Sequence, residues 1–138
     1  MLDSKESILL VEDDRVDIMT VQRALRKNQI GNPLHVARTG VDALRMLRGD
    51  GVEKIDPPPG LILLDLNLPR MSGIEFLQEL RSDPALKSLR IIVLTSSNEE
   101  RDREAAFRYE VDDYIVKPHS FEEFNRAIAT ILDLWEEN

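Results

Sequence analysis

The sequence contains no cysteine, so it has neither a disulfide framework nor a thiolate metal site. Positive charge is also scarce: 26 Asp and Glu against 18 Lys and Arg leave a formal net charge of −8. A chain this acidic lacks the basic patch of a nonspecific nucleic-acid surface and suits an anionic membrane surface poorly. Long hydrophobic runs are missing as well. The apolar stretches are a few residues each, far short of a membrane span. The opening "MLDSKESILLVEDD" has no basic segment followed by a long apolar one, so no signal peptide is expected. These absences together predict a soluble, cytoplasmic protein.

What is present fits one domain spanning 1–138, with 42% hydrophobic and 32% charged residues, a length that buries most of its surface in a single core. Short apolar runs at 8–11, 34–37, 61–64, 91–94 and 114–116 alternate with amphipathic segments at 14–28, 40–48, 72–82, 98–109 and 120–136. Strand and helix in alternation predict βαβ units around a parallel sheet. The first, third and fourth runs are continuously apolar, as strands buried on both faces are. The second, "LHVAR", and the short fifth read as edges. Edges at two and five suit an α/β, doubly wound, flavodoxin-like sheet of order 2-1-3-4-5 with helices on both faces.

Punctuation supports the helices. Thr39 with Asp42 three residues on forms a capping-box-like start, and Ser82-Asp83-Pro84 stops the helix before it. The stretch "GDGVEKIDPPPG", 49–60, reads as a surface loop whose prolines favour an extended polyproline course. No output domain is expected, since the last helix uses up the chain.

The stretch "LILLDLNLPRMSG" poses a question of cost. Its buried strand ends on Asp65, and a carboxylate removed from water must shift its pKa, find a partner or bind a metal. In a parallel sheet the carboxyl ends of the strands share one edge. There Asp65 meets Glu12, Asp13 and Asp14 after strand one, Thr95 after strand four, and Lys117-Pro118 after strand five. Clustered carboxylates repel, and Mg²⁺, which takes one or two carboxylates plus phosphate oxygens, relieves that repulsion. A lysine and a hydroxyl remain to hold phosphoryl oxygens. Carboxylates can themselves be nucleophiles, forming aspartyl phosphate. Asp65 therefore reads as a phosphoryl acceptor.

"LLVEDD", "LILLDLNLPRMSG", "IIVLTSS" and "YIVKP", in that order along essentially the whole chain, resemble the receiver domain of two-component response regulators. That resemblance implies Asp65 as phosphoacceptor, Asp13 as a direct Mg²⁺ ligand, Glu12 acting through water, and Asn67 offering its backbone carbonyl to the metal. It implies that Lys117 pairs with the phosphoryl group beside a cis bond to Pro118. Thr95 and Tyr114 would form a switch pair, the hydroxyl drawn inward on phosphorylation and the aromatic ring following. Asp14 receives no direct metal bond. The implied partner is a sensor histidine kinase. The 49–60 insertion, "LTSSNEE" and the ending "LDLWEEN" are similar to single-domain regulators serving bacterial and cyanobacterial phytochrome kinases, from which the acidic residues of "YEVDDYIVKP" depart.

Other features read more plainly. His35 and His119 lack convergent ligands. Met19, Met46 and Met71 read as packing, and "NEERDREAAFRYE" as a solvated helix face. In the last helix, Phe121, Phe124, Ile128, Ile131 and Trp135 form a core stripe, with Ala127, Leu132 and Leu134 as apolar excess that predicts a homodimer through helix four, strand five and helix five. Two rivals carry different predictions. A haloacid-dehalogenase-type phosphatase wants a second acid where Asn67 stands and a threonine where Pro69 stands. A phosphate-independent interaction module would not need the full acidic and basic set.

Overall fold

The computed structural model describes residues 6–136, with side chains described to residue 132. The elements follow in the order β1 (Ile8–Val11), α1 (Arg15–Lys27), β2 (Leu34–Ala37), α2 (Gly40–Arg48), β3 (Leu61–Leu64), α3 (Gly73–Ser82), β4 (Ile91–Thr95), α4 (Glu100–Arg108), β5 (Asp113–Val116) and α5 (Phe121–Glu136). The five strands form one sheet of order β2-β1-β3-β4-β5, parallel throughout. β1, β3 and β4 are buried at every position, whereas the edges β2 and β5 are partly exposed. Among the described residues no helix is long and apolar enough to cross a membrane.

Alternate side chains of each strand serve opposite faces. Leu9, Val11, Ile62, Leu64, Ile91 and Val93 pack with Leu44, Leu47, Phe76, Leu77, Leu80 and Ala106, under α2, α3 and α4. Ile8, Leu10, Leu61, Leu63, Ile92 and Leu94 pack with Ile18, Val21, Leu25, Phe124, Ile128 and Ile131, under α1 and α5. Leu132 and Phe121 join this second core, and the Arg23 guanidinium lies 3.8 Å from the Phe121 ring centre. Part of the apolar excess expected to face a partner is therefore spent between α1 and α5. The side chains of Leu134 and Trp135 lie outside the described residues.

Helix ends show why the boundaries fall where they do. Asp14, expected inside the first helix, is the N-cap of α1: its Oδ1 accepts from the N–H groups of Val16 and Asp17, 2.8 and 3.1 Å away. Thr39 caps α2 as expected, accepting from the Asp42 N–H. The full reciprocal capping box lies instead at Ser72 and Glu75. α4 begins two residues later than its pattern suggests. Its N-cap, Glu99, makes no side-chain cap bond, and Ala106 is its one buried residue.

The 49–60 loop departs from a continuous extended course. Ile55 turns inward, buried, and its N–H reaches the Met46 carbonyl at 2.9 Å. Bends follow at Asp56 and Pro57. Burial of one apolar side chain thus outweighs the polyproline preference.

Two contacts fix the ends of α3. Arg81, in the last turn of α3, donates from Nε to the Tyr109 carbonyl, from Nη1 to Lys87 and Leu89, and from Nη2 to Glu110. Burial lowers the pKa of this guanidinium, while Asp112 and Glu110 counteract the shift. Gly73 opens α3 with its N–H on the Leu66 carbonyl at 3.0 Å. A Cβ there would stand 2.6 Å from Leu66 Cα and 2.7 Å from the Asp65 carbonyl oxygen. Space, not backbone freedom, demands this glycine. Gly73→Ala should cost about 1–3 kcal/mol of stability, the range for overpacking, and slow any chemistry at Asp65. Urea unfolding reads the first effect, and a wild-type midpoint would contradict it.

Candidate functional site at the carboxyl edge of the sheet

Four strands deliver side chains to one place. Glu12 and Asp13 follow β1, Asp65 follows β3, Thr95 ends β4, and Lys117 follows β5. The main chain carries the ladder into the site: Asp65 N–H bonds the Val11 carbonyl at 3.0 Å, and Lys117 N–H bonds the Thr95 carbonyl at 2.7 Å. Glu12, Asp65 and Thr95 are buried, at 2%, 5% and 0% exposure, while Asp13 is exposed.

Asp65 Oδ1 accepts from the Thr95 hydroxyl at 2.7 Å and from the Asn67 N–H at 3.1 Å. Asp65 Oδ2 faces Lys117 Nζ at 3.3 Å. Lys117 makes closer contacts with Glu12 Oε1 and with Asp17 Oδ2, the latter at 2.7 Å. Burial works against the lysine's charge, but Asp17, Glu12 and Asp65 outweigh it and raise its pKa. Lys117 therefore stays an ammonium. Glu12 goes the other way from a usual carboxylate: burial, aided by Asp65, pushes it up to about 7 against the pull of Lys117.

One ammonium thus serves Glu12, Asp17 and Asp65, with Asp13 alongside. Oxygen atoms of Glu12, Asp13 and Asp65 all lie within 4.8 Å of one another. A buried carboxylate held near neutral pH beside two further acids is what a hard divalent cation with oxygen ligands would relieve, so the residues present fit such an ion.

The pH dependence follows. Glu12 keeps a proton in the folded chain that it releases in the unfolded chain between its ordinary value of 4.5 and about 7. Its contribution to stability is present below the lower value and is lost as pH rises through the upper one. Thermal melts in a chelator should show this loss between pH 4.5 and 7 in wild type relative to Glu12→Gln. A divalent cation favours the ionised form, so its stabilising effect should be larger at pH 7.5 than at pH 5. Parallel pH profiles for the two chains would refute the assignment.

Thr95 and Tyr114, the expected switch pair, are both buried. Tyr114 donates from its hydroxyl to the Ser97 carbonyl at 2.9 Å. Burial pushes its phenol pKa upward, against the Ser97 bond. Ser97 Oγ in turn donates to Asp102 Oδ2 at 2.6 Å. The expected cis bond at Lys117-Pro118 is not found: that bond is trans, the ordinary preference of an X-Pro bond, and Asp56-Pro57 is the cis bond among the described residues. His35 and His119 take no part in the acidic cluster.

Asp17 and the Ser97–Asp102 pair were not legible as part of this edge. The spacing "EDDRVD" offers one signal, since Asp13 and Asp17 are four apart across a helix start.

The response regulator receiver domain family matches this chain over residues 8–129. Response regulator Rcp1 of Synechocystis sp. is 37% identical over 130 residues, covering 94% of this chain and 88% of that protein. The crystal structure of the phosphorylated cyanobacterial phytochrome response regulator RcpA superposes with a TM-score of 0.88 at 35% identity, covering 95% of this chain and 94% of that one. The Mn²⁺-bound form of Rcp1 gives 0.82 at 34% identity, with 94% of each chain covered. Similarity over nearly the whole length, together with four strand ends that deliver acids, a hydroxyl and a lysine to one edge, leads to one conclusion: the chain belongs to the response regulator receiver domain family.

Proposed function

We propose that Asp65 accepts a phosphoryl group from the phosphohistidine of a sensor histidine kinase, with Mg²⁺ bound beside it. The observation that carries this reading is the Asp65 carboxylate, buried yet bonded by Thr95 on one oxygen and faced by Lys117 on the other. In the transfer the donor's P–N bond breaks, its electron pair stays with the imidazole, and a P–O bond forms to Asp65. Asp13 and Asp65 would hold the cation directly, Glu12 through water and Asn67 by its backbone carbonyl. Mg²⁺ supplies charge neutralisation between two anionic reactants. Lys117 and the Thr95 hydroxyl donate to the phosphoryl oxygens, and the Asn67 N–H keeps the carboxylate oriented. The chain is a phosphoacceptor and does not turn over an external substrate.

Its readout is the α4–β5–α5 surface, reached through Thr95 and Tyr114. Phe107 on α4 and Val116 on β5, each 41% exposed, support a homodimer there. The similarity to RcpA and Rcp1 supports a phytochrome-type kinase as the phosphoryl donor. The test is intact mass after incubation with acetyl phosphate. One added phosphoryl group, with Mg²⁺ and not with a chelator, is the expected result. No uptake from acetyl phosphate or from a loaded kinase would overturn the proposal.

A further inference from the structure

Lys117 has more partners than the transfer requires. An ammonium carries three donors, and Glu12 Oε1, Asp17 Oδ2 and Asp65 Oδ2 account for all three. The bond to Asp65 is the longest, 3.3 Å against 2.7 Å to Asp17. A phosphoryl oxygen arriving on Asp65 would therefore compete for the ammonium with two closer acids.

Asp17 is well placed to resist that draw. Its backbone is fixed by the Asp14 cap, whose Oδ1 holds the Asp17 N–H at 3.1 Å. It lies in the first turn of α1. Its side chain is 30% exposed against 10% for Lys117 and 6% for Asp65, so it stands at the rim of the cluster. Unlike Glu12, it is outside the group whose oxygens converge within 4.8 Å.

We propose that Asp17 is a positioning residue for Lys117, holding the ammonium toward α1 and so weakening its grip on the phosphoryl group at Asp65. The inference rests on Asp65 as the acceptor. Two effects of the Asp17 charge act in the same direction. It competes for a donor of Lys117, and it adds negative potential where an anionic phosphoryl donor must approach. Asp17→Asn keeps the size and one acceptor oxygen but removes the charge.

The experiment compares wild type, Asp17→Asn and Asp17→Glu for the rate of phosphoryl uptake from acetyl phosphate in Mg²⁺, and for the rate of loss once the donor is removed. Asp17→Asn should take up the group up to about fivefold faster and hold it longer by a similar factor, the range of a partly exposed ion pair expressed as a rate. Asp17→Glu, which restores the charge, should return both rates toward wild type. Asp17→Ser gives a second charge-free chain if the amide disturbs α1. A residue that merely tied α1 to β5 would change thermal stability and leave both rates alone. Unchanged or slower uptake in the charge-free chains, with wild type labelled normally, overturns the role of Asp17. Absence of label in wild type overturns the acceptor reading itself.

Discussion

Asp65→Asn is expected to gain no phosphoryl group from acetyl phosphate in Mg²⁺ under conditions that load the wild-type chain, a loss of at least about 10³-fold as for removal of a nucleophile. The substitution is nearly isosteric. The amide oxygen can still accept from Thr95 and from the Asn67 N–H, as Oδ1 does now. What disappears is the anionic oxygen that attacks phosphorus. Folding should not suffer, since one of three mutually repelling acids is gone and Glu12 loses a neighbour that raises its pKa. Melting in chelator should therefore equal or exceed wild type, and the Mg²⁺-induced gain should shrink. Equal labelling of wild type and variant would remove Asp65 from the mechanism.

Lys117→Met should slow phosphoryl uptake by about 10²–10³-fold, the usual cost of one donor aimed at developing negative charge. It should also destabilise the fold in a pH-dependent way. Removing one partner of a buried pair typically costs about 3–5 kcal/mol because a charge is left unpaired. Here Glu12 can escape by taking up a proton, since it already sits at about 7. Protonation is easy at pH 5.5 and unfavourable at pH 8. The destabilisation measured by urea should therefore approach about 3 kcal/mol at pH 8 and fall well below that at pH 5.5. A penalty independent of pH would mean that Glu12 does not respond to Lys117.

Much of this edge was legible because it follows from topology. A continuously apolar run such as "LILL" has one place to go in a parallel sheet, and whatever follows it stands at the open end. Topology therefore places Glu12, Asp13, Asp65, Thr95 and Lys117 at that edge. It could not reach Asp17. A helix residue joins a strand-end cluster only through the angle at which its helix leaves the strand, and here Asp14 sets that angle by capping α1. The apolar surplus on α5 was only partly legible for a related reason. Periodicity shows which side chains are apolar but not how much of the helix its neighbour covers, and Leu132 packs into the core that α5 shares with α1. The Ser72–Glu75 capping box, by contrast, was visible as Ser-x-x-Glu and went unread.

The four carbonyls gathered by Arg81 have a mechanical consequence. Two of them, Tyr109 and Glu110, belong to the carboxyl end of α4, while the amino end carries no side-chain cap and the helix buries little besides Ala106. α4 is thus a lever clamped at one end. Nine residues at about 1.5 Å each make an arm of about 13 Å. A swing of about 10° at the clamp would carry the other end through about 2 Å, several times the span of about 2.7–3.2 Å over which a hydrogen bond holds. At the other end Ser97 holds both Tyr114 and Asp102. The clamp therefore lies at the opposite end of α4 from the carboxyl edge that holds Asp65 and Thr95.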